Sequence, residues 1–197
     1  MVTRILSILS LLIALGLAAY LVYDIYEVID KANEIERVEK KVTRKLSLIR
    51  EAQEAHQKMY GTYANTWDSL RMFIRNDQFP IVEVKEEIFT LDYGADSVVI
   101  TRDTIDFHPV IDSLYTEAEL AFLNLDRLEY VPHPTKNDIE FELHTSTLQR
   151  GPYTVSVIEV IDSKPFDKTR DDENERPTRR RLRFGSLNEV STAGNWE

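Results

Sequence analysis

From Ile5 to Tyr23 the chain reads ILSILSLLIALGLAAYLVY, nineteen residues without a charge. At about 1.5 Å per residue such a run is roughly 28 Å long as a helix, close to the hydrocarbon thickness of a bilayer. Tyr20 and Tyr23 lie near its end, where aromatic rings favour the headgroup region. Residues 24–60 then contain neither Gly nor Pro, and apolar residues recur at Ile35, Val38, Val42, Leu46, Ile49 and Ala52. Spacings of three and four put these on one stripe of a helix. Glu27–Lys31, Glu36–Lys40 and Glu54–Lys58 are i,i+4 pairs with the acid first, the order that supports a helix. The pattern predicts one helix leaving the bilayer and continuing as a stem, roughly 80 Å long from Ile5 to Met59. Its apolar stripe needs a cover, either another chain in a coiled coil or the protein's own distal domain.

Beyond the stem the pattern changes. Gly61 suits a left-handed helix cap. Asn65 or Thr66 can cap a second, short helix with Asp68 in its first turn and Trp67, Leu70, Phe73 and Ile74 on its apolar side, and Pro80 closes that unit. Trp67 is expected to pack against the stem near Tyr60 and Tyr63. The remainder reads mainly as strands. Ile81–Val84 is short and apolar, and Val98–Ile100 and Ile105–Phe107 flank an Arg102-Asp103 turn. Glu117 to Leu125 predicts a short helix. Ile139, Phe141 and Leu143 alternate with charged or polar residues, as do Tyr153, Val155 and Val157 after the turn Gln149-Arg150-Gly151-Pro152, so 138–160 predicts an antiparallel hairpin. Residues 163–177 read as a charged surface loop, and Leu182 to Leu187 as a last strand. The expected fold is α+β: a tail at 1–4, a transmembrane helix at 5–23, a helical stem at 24–60 and a mainly antiparallel β domain at 61–197.

Charge divides along the same line. Residues 1–60 hold nine Lys+Arg and eight Asp+Glu, a net +1, whereas 61–197 hold fifteen and twenty-six, a net −11, so the acidity belongs to the distal domain. That balance disfavours nucleic acid as a partner and keeps the domain away from anionic lipid. The chain has no cysteine, which removes disulfides, thiolate metal sites and cysteine nucleophiles together.

The apolar run also fits a cleaved signal peptide, with Gly16-Leu17-Ala18 as a small-residue cleavage site. It continues past that point to Tyr23, which favours an uncleaved anchor. Arg4 on one flank and Asp24, Glu27 and Asp30 on the other orient the short tail toward the cytoplasm by the positive-inside rule. In a bacterium the rest is then periplasmic and the membrane is the inner one.

The stretch IREAQEAHQKMYGTYANTWDSLRMFI, Ile49–Ile74, resembles type IV pilins and type II secretion pseudopilins. In that family a long N-terminal helix ends in such a run, followed by a Gly-x-Tyr turn and a short element packed on the helix. Gly61, Tyr63, Trp67 and Leu70 match that pattern. The family's basic leader, its Gly–Phe-type processing site and the glutamate five residues into the mature helix have no counterpart: Arg4 is followed by apolar residues, and no acid precedes Asp24. The layout is also similar to bitopic scaffold subunits of secretion and pilus machines.

No catalytic or cofactor-binding set stands out. His56, His108, His133 and His144 share no i,i+4 face, and His56 on the stem reads as a packing residue. Glu86/Glu87 and Glu140/Glu142 read as solvated strand faces rather than an acid–base pair. Asp171-Asp172-Glu173 with Glu175 lacks the spacing of a calcium loop. Arg176 and Arg179-Arg180-Arg181 follow that acidic run and neutralise it locally; the functional alternative is a docking patch for an acidic partner or for peptidoglycan carboxylates. There is no P-loop, no dinucleotide fingerprint and no nucleophile elbow.

The expectation is a non-enzymatic structural subunit of a bacterial envelope complex, of secretion or pilus-like type, without cofactor or metal. It would touch lipid through 5–23, and other envelope proteins or itself through the stem. The alternative is a membrane-tethered periplasmic ligand-binding or sensing module, which the four residues before the helix leave without a cytoplasmic output domain.

Overall fold

The computed structural model describes the backbone of residues 2–90, 96–172 and 174–197, with side chains for 11–88, 98–172 and 174–197. Helix α1, Val2–Tyr60, is continuous over 59 residues, roughly 88 Å at the ordinary rise. It takes in Val2–Arg4, the residues expected as a separate tail. Its two halves differ in environment. From Leu11 to Glu34 every side chain is exposed, including Leu12, Leu15, Leu21 and Ile25. From Val38 onward the predicted stripe is buried: Val38, Val42, Leu46, Ile49 and Ala52 all lie in the core, while Ile35 sits at its rim. The stem therefore has its cover within the same chain. Two of the three expected helix pairs form, Lys31–Glu27 and Lys40–Glu36, both at 2.6 Å. Glu54 instead accepts from the Thr192 hydroxyl at 2.6 Å.

Gly61, at φ +77°, ends α1 in the left-handed region, and its N–H donates to the Gln57 carbonyl. Helix α2, Trp67–Asn76, follows; Thr66 is its cap, accepting from the Ser69 N–H at 3.2 Å, and it buries Leu70, Phe73 and Ile74. Pro80 does not close this unit. It lies inside strand β1, Gln78–Thr90, which pairs antiparallel with β2, Asp96–Pro109, as a two-stranded ribbon. Proline is tolerated there because an edge strand leaves one side of its backbone unpaired. The Arg102-Asp103 turn is likewise absent: both residues sit in the ladder opposite Val84 and Glu83, and the irregularity falls between Ile81 and Val82, where β2 carries the extra residue Ile105.

Two short helices return the chain to the stem: α3, Val110–Leu114, and α4, Glu117–Leu123, the latter with a Thr116/Glu119 capping box. The expected hairpin forms as β3, Phe141–Arg150, and β4, Tyr153–Asp162, and β5, Arg183–Gly185, adds to β4 in a sheet of order β3-β4-β5. Gly185, at φ +78°, passes so close to the Ile158 carbonyl that a Cβ would collide with it. Ile158 and Val160 of β4 and Phe184 of β5 join Leu46 and Ile49 of α1, Leu70 and Ile74 of α2 and Leu123 of α4 in one core. The C-terminal half of α1 is thus the central element of the domain.

Candidate functional site

Three features are built well enough to carry function: the junction of stem and cap, the charged loop against the stem, and the apolar N-terminal half of α1.

At the junction, Gln53 is completely buried and clamps the turn after Gly61. Its Nε2 donates to the Ala64 carbonyl at 3.1 Å, and its Oε1 accepts from the Ala64 N–H at 2.9 Å. Both polar groups of one buried backbone unit are thereby satisfied by one side chain. His56 Nδ1 donates to the Thr62 carbonyl at 2.6 Å, since a carbonyl can only accept. Its ring lies 5.0 Å from Phe73 and 4.9 Å from Tyr60, so this histidine packs as expected. Tyr60 donates to Asp77 at 2.6 Å, which holds the tyrosine hydroxyl above its ordinary range. Of the residues matched to the pilin-like pattern, Leu70 is fully buried, Tyr63 is half-buried with its N–H on Ser156 Oγ, and Trp67 is half-buried at the edge of the core. The ring set edge-on to Tyr60 is that of Phe73. An open groove of about 560 Å³ runs between His56, the Thr62–Asn65 turn and Thr145, Thr147 and Ser156 of the sheet.

The far side of α2 is tied by Arg71, which donates to Glu129 at 2.7 Å and to the Leu125 carbonyl at 2.8 Å. Nearby, Lys45 is buried and donates to the carbonyls of Arg127 (2.7 Å) and Tyr130 (2.8 Å); burial pulls its ammonium down to about 8. The Tyr115 hydroxyl donates to the Leu48 carbonyl at 2.6 Å, and burial raises it well above the usual tyrosine range.

The charged loop is more ordered than its composition suggests. It contains short 3-10 turns at Lys168–Asp171 and Pro177–Arg179. Arg170 forks onto Glu39 of the stem, with Nη2–Oε2 at 2.8 Å, and also donates to the carbonyls of Thr178 and Arg180. Among the described residues, one ion pair joins the basic run to its acidic neighbour. Arg181 pairs with Asp171 at 2.9 Å, and Arg180 donates to the Glu175 carbonyl at 2.8 Å. Arg179 lines a small groove against Ile35 and Glu39. Glu173 lies outside the described residues. At the root of the loop, Asp162 is buried and accepts from the Lys164 N–H at 3.2 Å; burial pushes its carboxyl up to about 6.

Among the described residues no group of three or more potential ligands, histidines included, is placed to hold a metal ion. Sequence reasoning missed Gln53, Lys45 and Arg170. Gln53 left one trace, a polar residue next to Ala52 on the otherwise apolar stripe. Arg170 left none, because its partner is 131 residues away.

The N-terminal half of α1 is long and apolar enough to cross a membrane, and none of that apolar window is buried in the chain. Such a helix is compatible with a single-pass segment. Comparison with family models, with characterised proteins and with solved structures gives no match for this chain.

Proposed function

We propose that this chain is a single-pass inner-membrane protein of a bacterial envelope, a structural subunit of a secretion- or pilus-like assembly with its α+β domain in the periplasm. The observation that carries the reading is the continuity of α1: one helix is an exposed apolar span at one end and the centre of a folded domain at the other. A domain built around its own anchor is held at a set height and angle, which suits a scaffold. Residues 24–37 place the first buried turn about 20 Å beyond the apolar run. The pilin-like cap at Gly61–Leu70 supports the same class, since there too a short unit closes the end of a long stem. Arg4 against Asp24, Glu27 and Asp30 supports the orientation.

A reporter active only in the periplasm, fused after Glu197, is expected to give signal, and a cytoplasm-active one none. The reverse result overturns the topology. Purification of the full chain in mild detergent should then bring down other envelope proteins in fixed stoichiometry. A second reading, a tethered ligand-binding module, draws on the hydroxyl-lined groove beside His56. A lone chain carrying a bound small molecule would favour it.

A further inference from the structure

The ribbon β1–β2 has faces of opposite character. Residues alternate across a strand, so Val82, Val84, Glu86 and Ile88 share a face with their partners Thr104, Arg102, Ile100 and Val98. The other face carries Glu83, Lys85 and Glu87 opposite Asp103, Thr101 and Val99. Toward the root, Phe79 turns its side into the core while Phe107, paired with Pro80, continues the first face. Val82, Val84, Ile88, Val98, Ile100 and Phe107 are all between 42% and 68% exposed. A lone two-stranded ribbon is marginally stable in water, and an uncovered apolar face makes it more so.

We propose that this face is the contact surface for the same face of a second copy of the chain, the two arms crossing near a right angle. Charge selects both occupant and angle. The face carries one acid and one base, diagonal to each other, because Glu86 stands opposite Ile100 and Arg102 opposite Val84. With arms aligned, a two-fold partner sets Glu86 over Val84 or Ile100 and buries a carboxylate on an aliphatic side chain. In an orthogonal crossing, a known mode of sheet packing, the two-fold runs along the Val84–Ile100 diagonal. Glu86 of each copy then meets Arg102 of the other, and Val84 and Ile100 each meet their own counterparts. A lipid surface is the poorer occupant, since the arm's other face is acidic through Glu83, Glu87, Asp103 and Asp106.

The area sets the regime. Two strands about 4.8 Å apart and seven residues long present a face of roughly 10 by 24 Å. Crossed near a right angle, two such faces overlap over roughly 10 by 10 Å and bury roughly 200 Å² together, far below the 1,200–2,000 Å² or so of stable interfaces between soluble partners. The proposal therefore rests on the membrane-anchored reading, because the tether supplies the local concentration that the contact lacks.

The chain has no cysteine, so one introduced thiol reports one position. Full-length Val84→Cys in lipid vesicles, under mild oxidation, is expected to become a disulfide dimer, while Lys85→Cys on the opposite face stays monomeric. Adding Glu86→Arg to Val84→Cys should lose the dimer, and adding Arg102→Glu as well should restore it. Equal cross-linking at the two positions, none at Val84, or a charge swap that fails to rescue overturns the proposal. A Val84→Cys monomer shielded from a water-soluble thiol reagent would assign the face to lipid instead. Carbonate washing after cross-linking tests the anchor separately: released chains overturn the membrane reading, while the contrast between positions 84 and 85 still reports the arm.

Discussion

Gln53 is the residue whose removal tests the account of the stem–cap junction most sharply. It is fully buried, and both of its bonds go to the backbone of Ala64, itself only 2% exposed. Gln53→Ala leaves an N–H and a C=O without partners in a space water reaches poorly. Each orphaned buried group costs about 1–3 kcal/mol, so the pair costs about 2–5 kcal/mol with some relaxation of the turn. That is a large share of the roughly 5–15 kcal/mol of a typical domain. For a chain of this size each 1 kcal/mol lowers the melting temperature by about 2–4 °C, giving a drop of about 5–20 °C. Gln53→Met separates the two components. It refills the volume but restores neither bond, so it should recover only the packing share. Gln53→Glu keeps an acceptor for the Ala64 N–H but sets a carboxylate against the Ala64 carbonyl, and should be no better than Met. The assay is thermal unfolding of the full chain in mild detergent, followed by near-UV circular dichroism. If Gln53→Met melts with the wild type, the two hydrogen bonds contribute nothing net and the reasoning fails.

Two further outcomes follow from burial and charge. Leu70→Ala should cost about 2–5 kcal/mol by the same unfolding assay, whereas Trp67→Ala, at the half-buried edge of the core, should cost less than the 3–5 kcal/mol or so of a fully buried Trp. Equal losses would place Trp67 deeper than the structure has it. Asp162 has a folded pKa of about 6, above its unfolded value near 4, so the protonated form favours folding. Its contribution is complete below about pH 4 and lost as pH rises through about 6. Asp162→Asn keeps the acceptor for Lys164 and should match the wild type near pH 4 but exceed it in stability at pH 7. Parallel pH profiles for the two proteins would refute this.

How much of this was legible in the sequence depends on how far apart the interacting residues lie. The helix, its stripe, the Gly61 cap and the hairpin across Gly151 are local patterns, and each formed where periodicity put it. The ribbon was read as fragments because Pro80 and Arg102-Asp103 are strand breakers inside a sheet. In a two-stranded ribbon with two free edges, where Pro80, Arg102 and Asp103 are all exposed within the chain, neither carries that penalty. The cover of the stem stayed open because Val38, Val42 and Leu46 demand an apolar partner without naming it. The answer came from Leu123, Ile158 and Phe184, more than seventy residues on. Nothing local marks Lys45 for the core, and only the carbonyls of Arg127 and Tyr130 explain a lysine there.

The placement of α1 at the centre of the domain also sets an order of events during synthesis. The stem is made first and its partners last: Arg50 waits for the Thr192 carbonyl and the Glu197 carboxylate, and Glu54 for the Thr192 hydroxyl. At about 5–20 residues per second, the stripe from Val38 to Ala52 stays uncovered for on the order of ten seconds after it emerges. Contacts of such long sequence separation form slowly even once the chain is complete. Under the proposed anchoring, a nascent chain held in the bilayer by its first segment would spend that interval separated from its neighbours in the plane of the membrane. The same helix that ends as the core would thus act earlier as a brake on aggregation.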